Sequence, residues 1–150
     1  KKKKMNRIKI KLPATFHFIT EIDIRITDLN YGGHAGNDTF LALAHEARYR
    51  FLKSLGYTEL HIENVSLIMS DAAIEFKREL FQGDRVLISI AAEGFDKYGF
   101  DLFYLFEKMD NEEKLIVAKI KTGMLCYNYT EKKLEMLPEL AKEKLLNARA

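Results

Sequence analysis

One cysteine, Cys126, stands among the 150 residues, so no internal disulfide can form and a reducing cytoplasm is the simplest expected setting. That thiol lies in a mixed apolar run, the surroundings of an inert core residue rather than a nucleophile. No apolar run approaches the roughly 20 residues needed to cross a bilayer. No secretory signal is expected, because alternating charged residues follow the basic start where an apolar stretch should be. His17, His34, His45 and His61 lack zinc-binding spacing, and one cysteine cannot complete a thiolate site, so neither metal nor cofactor is expected. The Gly-x-x-x-x-Gly-Lys-Ser/Thr pattern of a phosphate-cradling loop is missing, which excludes that role for Gly32-Gly33. Nor is there a repeat, a linker or a low-complexity tract beyond Lys1–Lys4.

What is there is globular. Hydrophobic residues make up 47% of the chain, with 10 Phe and 7 Tyr. A chain of this length forms one domain and buries about 70% of its extended surface. The charge is unevenly spread. Residues 1–11 carry seven basic side chains and no acidic one, leaving 17 basic against 22 acidic residues in the remainder. The expected organisation is a basic arm over 1–15 and a single domain over 16–150. No aromatic residues interleave with the arm's lysines and no recognition motif follows, so nucleic acid is not an expected partner.

Periodicity supplies the elements. Over 16–26, Phe16, Phe18, Ile22, Ile24 and Ile26 share one face, and His17, Glu21, Asp23 and Arg25 the other, the pattern of a half-buried strand. A segment with three glycines, Asp28 to Asn37, breaks that strand. A helix is expected from Asp38 to Leu55, with Asn37 as its cap, Asp38 at the positive end of its dipole and Gly56 as its terminator. Phe40, Leu41, Leu43, Ala44, Ala47, Phe51, Leu52 and Leu55 cover more than half its circumference, which predicts enclosure on several sides. Four strands follow: within Val65–Leu80, around Arg85–Ala92, then Phe100–Lys108 and Leu115–Tyr129. Pro138 is expected to open a short helix running to about Asn147. Short hairpins force antiparallel neighbours. The fold class is therefore α+β: a long helix wrapped by a curved antiparallel sheet of about five strands. Part of that sheet is left for a partner chain, so a homodimer or homotetramer is expected.

The segment Asp28-Leu29-Asn30-Tyr31-Gly32-Gly33-His34-Ala35-Gly36-Asn37 resembles the motif Asp-x-Asp-x-x-Gly-His-Val-Asn-Asn of the hotdog-fold thioesterases, in particular the 4-hydroxybenzoyl-CoA and acyl-carrier-protein thioesterase groups. Glu46-Ala47-Arg48, Ile74-Glu75-Phe76 and Phe81-Gln82-Gly83-Asp84 resemble further family segments, so the likeness covers about residues 16–130. It implies the hotdog fold and hydrolysis of an acyl-CoA or acyl-carrier thioester. The second Asp of the family motif, its usual nucleophile or base, falls on Asn30. An amide can orient water or donate a hydrogen bond, but it neither attacks a carbonyl nor accepts a proton.

Three residues are candidates to compensate: Asp28, which shares a face with Asn30 if the chain is extended there; Glu46 on the helix; and His34, whose imidazole can transfer a proton. Each has a structural alternative, respectively a turn aspartate, an ion pair with an arginine, and a histidine holding the loop. Gly33, Gly36, Asn37 and Asp38 are the candidate oxyanion and substrate-binding positions, since free N–H groups at a helix start polarise a carbonyl. Lys77 and Arg78 are candidates for a CoA phosphate. Three functions are expected in descending order: a thioesterase using Asn30 with Glu46 or Asp28; a non-catalytic hotdog protein that binds an acyl thioester or partner; and a dehydratase or hydratase, whose motif differs around the glycines.

Overall fold

The alternation read over residues 16–26 becomes a strand, β1, Phe18–Asp23, and the chain then tightens into one 3-10 turn, Ile26–Asp28. The long helix α1 spans Asn37–Ser54 and is followed by β2 Ser66–Phe76, β3 Arg85–Glu93, β4 Gly99–Asp110, β5 Glu113–Asn128, a two-residue β6 Lys133–Leu134 and α2 Glu139–Leu146. This computed structural model describes residues 6–148; Lys1–Lys4, the charge-dense start of the basic arm, lie outside the described residues. All strand pairs are antiparallel in the order β1-β3-β4-β5-β2, with β6 beside β5. Sheet and helix together are the α+β architecture expected. The Asp110–Glu113 hairpin turns through Asn111 and Glu112, both at positive φ (50° and 69°), the conformation of a two-residue turn matched to strand twist.

Period-two side chains build the core. Val86, Ile88 and Ile90 from β3, Leu102, Tyr104 and Phe106 from β4, and Ala118, Ile120, Thr122, Met124 and Cys126 from β5 are all buried. Across them lies α1, whose buried side is Phe40, Leu43, Ala44, Ala47, Arg48, Phe51 and Leu52. At one end Phe40 stacks on Phe106 at 5.8 Å, and at the other Phe51 meets Phe18 edge-on at 5.5 Å. Two bulges bend the sheet around the helix, one at Ser70 in β2 and one at Val117 in β5. The extra residue Val117 turns its carbonyl to the N–H groups of Lys77 and Arg78, which ends β2 at the head of α1.

Within one chain the sheet covers one side of α1, and Leu41, Ala42, His45, Glu46 and Tyr49 remain exposed. Enclosure on several sides is thus not reached by a single chain. Cys126 is fully buried, and desolvation, with smaller effects from Glu135 and Asp96, pushes its thiol up to about 11, which makes it inert.

Arg48 places a charge between helix and sheet, 4% exposed. Its Nε donates to Glu59 Oε1 at 2.8 Å and its Nη1 to Tyr104 Oη at 3.0 Å; Tyr104 Oη also lies 2.8 Å from Thr122 Oγ1. Burial raises the Tyr104 pKa, so the phenol stays neutral and serves as a hydrogen-bond partner. Removing the guanidinium leaves Glu59 and the Tyr104–Thr122 pair short of a donor. Arg48→Ala is expected to destabilise the fold by about 2–4 kcal/mol in urea unfolding. Arg48→Lys should recover little, because an ammonium cannot span both partners as the planar fork does.

Candidate active site

The segment between β1 and α1 is held by its own backbone. Asn30 N–H donates to His34 O (2.9 Å), Gly33 N–H to Asn30 O (3.1 Å), and Gly32 N–H to the Asn30 side-chain Oδ1 (2.8 Å). Gly33 sits at φ +81°, where a side chain would strain the turn. Ala35 N–H then donates to Leu80 O at 2.8 Å, which fastens the end of this loop to the connection following β2. Thr39 Oγ1, in the first turn of α1, donates to Asp28 O at 3.0 Å.

The helix cap differs from the expectation. Asn37 is the first helical residue and Gly36 occupies the cap position, with φ −71° and ψ 163° and no side-chain hydrogen bond. Thr39 N–H bonds to Gly36 O, Gly36 N–H faces Asp28 O across the Leu29–Ala35 bridge, and among the described residues the N–H groups of Asn37 and Asp38 have no protein acceptor. A Ser, Thr, Asp or Asn cap would have taken up one of these donors. Its absence leaves them, with the helix dipole, for an oxygen outside the chain.

Beside them opens a cleft of about 330 Å³ lined by His34, Ala35, Asn37, Phe40, Phe76, Lys77, Arg78 and Glu79. Its apolar wall is the Phe40–Phe76 pair, packed edge-to-face at 5.2 Å; Phe76 is 46% exposed although it lies on the helix side of the sheet. His34 Nδ1 lies 3.2 Å from Ala35 O, and its Nε2 lies 3.7 Å from Glu79 Oε1. Lys77 Nζ pairs with Glu75 at 2.6 Å, while Arg78 Nη1 donates to Ile116 O at 2.6 Å.

Of the residues singled out from sequence, His34, Asn37, Lys77 and Arg78 line this cleft. Asn30 stands next to it: a Cβ built on Gly36 would lie 3.7 Å from Asn30 Nδ2 and 2.7 Å from Asp38 Oδ1. Asp28 and Glu46 go elsewhere, to a separate groove shared with Glu21, Ile22, Asp23, Arg25, Ala42, Leu43 and Arg50. The extended chain assumed for Asp28 is instead the 3-10 turn, so it and Asn30 do not share a face. Burial works to raise the Asp28 pKa but is outweighed by hydrogen bonds from the Arg25 side chain and N–H, so its carboxyl is held below the usual range. Glu46 Oε2 accepts from Arg50 Nε at 2.7 Å, and it lies nine positions along the helix from Asn37, about 13.5 Å of rise. Phe40 was expected only as core, and Glu79 was not singled out at all. Neither its sequence neighbours nor its spacing from His34 marks it; the Ala35–Leu80 bond does.

Comparison with known proteins agrees with the fold. A family described as the thioesterase-like superfamily matches residues 24–145. A 1,4-dihydroxy-2-naphthoyl-CoA hydrolase of Microcystis aeruginosa is 31% identical over 125 residues, 79% of this chain and 86% of that protein. Among solved structures, a thioesterase-superfamily protein of Jannaschia sp. CCS1 superposes with a TM-score of 0.78 at 16% identity, covering 91% of this chain and 85% of that one. A 1,4-dihydroxy-2-naphthoyl-CoA thioesterase of Synechocystis superposes at 0.72 with 22% identity, covering 86% and 94%. At these identities the structural likenesses carry the fold alone.

Two variants test the geometry. Gly36→Ala needs only the tip of Asp38 to move, so the fold should survive while the methyl crowds Asn30 and the free N–H groups; any turnover should fall about 10-fold or more. Asp28→Asn should cost about 1 kcal/mol at pH 7, given that Arg25 is exposed. Because the native carboxyl pKa is depressed, this stabilisation is complete above the unfolded value near 3.8 and disappears as pH falls through the native one. Urea unfolding of both proteins from pH 7 down to 3 should therefore converge.

Proposed function

The chain belongs to the thioesterase-like superfamily, and from that premise we propose that it hydrolyses an acyl-CoA thioester, with the thioester carbonyl lying against the uncapped start of α1. The observation that carries this reading is the pair of unbonded N–H groups on Asn37 and Asp38 beside an apolar cleft. Such donors meet the negative charge that grows on the carbonyl oxygen as water adds, and one of them is worth about 3 kcal/mol in comparable sites. Asn30, with Oδ1 tied to Gly32 N–H and its Nδ2 toward Gly36, is suited to orient the attacking water.

The Phe40–Phe76 wall favours a flat acyl group, and the relative from Microcystis is named for an aromatic one. Lys77 and Arg78 put two cations at the cleft for the phosphates of CoA. Two features support association of copies: β2 is an edge strand of 11 residues, and α1 exposes Leu41 and Tyr49 on the side away from the sheet. Among the described residues no helix is long and apolar enough to cross a membrane.

Asn30 also supports a second reading, an acyl-thioester binder without turnover. Thiol release from a panel of aliphatic and aromatic acyl-CoA thioesters, run on the wild type and Asn30→Asp, separates the two. Hydrolysis predicts turnover by the wild type, fastest on an aromatic acyl group, and an equal or lower rate for Asn30→Asp. Background rates across the panel for the wild type, with activity appearing in Asn30→Asp, would establish the binder instead.

A further inference from the structure

Hydrolysis at this cleft needs a group to take the proton of the attacking water, and building on the reading above we infer that His34 is that base and Glu79 its positioning partner. Four titratable side chains line the cleft: His34, Lys77, Arg78 and Glu79. Lys77 and Arg78 are cations and cannot take up a proton, which leaves His34 and Glu79 as the acceptors. The other carboxylates near α1 are unsuited. Asp28 is held by Arg25, Glu46 is paired with Arg50 in a different groove, and Asp38 leans over Gly36 outside the cleft lining.

The pairing has a backbone cause. Ala35 N–H donates to Leu80 O at 2.8 Å, so the residues just before each, His34 and Glu79, are brought side by side. The ring nitrogens are distinguished by their surroundings. Nδ1 faces Ala35 O at 3.2 Å and must carry a hydrogen to bond with it, so Nε2 holds the free lone pair. Glu79 Oε1 stands 3.7 Å from Nε2, too far for a direct hydrogen bond and close enough to stabilise the ring once it is charged. Stability does not account for the pair. The side chains of His34 and Glu79 are 33% and 61% exposed, and ion pairs so placed contribute little to stability.

The step balances. Water oxygen bonds to the thioester carbon as one of its protons passes to Nε2, giving a tetrahedral oxyanion beside the free N–H groups and an imidazolium beside Glu79. The oxyanion collapses, the C–S bond breaks with its electron pair on sulfur, and Nε2–H delivers the proton to that thiolate. A carboxylic acid and a thiol leave, and the acid loses its own proton to solvent.

The test measures kcat and KM with an acyl-CoA thioester that the wild type hydrolyses, for His34→Gln, Glu79→Gln, Glu79→Asp and Glu46→Gln, alongside urea unfolding midpoints. His34→Gln should lower kcat by about 100-fold or more. Glu79→Gln should lower kcat about 10-fold with KM changed less than about twofold, the split expected of a group that acts on the transition state. Glu79→Asp, which keeps the charge, should recover part of that loss, and midpoints should stay at the wild-type value. A kcat for Glu79→Gln or His34→Gln within about twofold of wild type, or loss of turnover confined to Glu46→Gln, overturns the pair and leaves hydrolysis standing. A wild type inert on every thioester overturns both.

Discussion

A guanidinium enclosed between helix and sheet must find hydrogen-bond partners in one place, and this requirement sets where α1 rests. Arg48 reaches Glu59 with one nitrogen and Tyr104 with another. Rotating the helix by one residue, about 100°, would strand the charge at a cost of about 3–5 kcal/mol. The apolar contacts at the two helix ends, Phe40 on Phe106 and Phe51 on Phe18, tolerate small slides; the arginine does not. With α1 set by Arg48, its first turn falls next to Leu80 and the end of β2, and the cleft follows.

At that first turn the chain gives up local stability. A cap side chain is worth about 1 kcal/mol, yet Gly36 supplies none. The loop before it is nevertheless rigid, because Asn30, Gly32, Gly33 and His34 bond to one another and Thr39 ties α1 to Asp28. For the proposed reaction, donors already held in place are worth more than donors that must reorganise. The bulge at Val117 contributes from the far side by ending β2 where Phe76 can close the cleft and Glu79 can reach His34.

Asp28 and Glu46 illustrate how residues of one motif can be parted by the fold, since both line a groove separate from the cleft at the start of α1. Both belong to the segments that resemble the thioesterase family, and that membership stands. Yet Asp28 closes a 3-10 turn onto Arg25, and Glu46 points along the exposed side of α1 toward Arg50. One-dimensional spacing says which residues share a helix face or a strand face. It does not say when a strand has stopped, and the turn at Ile26–Asp28 comes two residues before the extended reading of Asn30 needs it to.

Local rules were sufficient for the elements. Alternation marked the strands and the Asn111-Glu112 turn their hairpin. The apolar rhythm from Phe40 to Leu52 marked α1, and Gly56, at φ +82°, marked its end. These depend on contacts a few residues apart, which sequence order preserves. The fold class and the family were legible for that reason. The cleft was decided by contacts between distant segments: Ala35 with Leu80, Phe40 with Phe76, His34 with Glu79. No periodicity records such meetings, because they arise only when the bulged sheet closes on α1 and carries the end of β2 to the helix start.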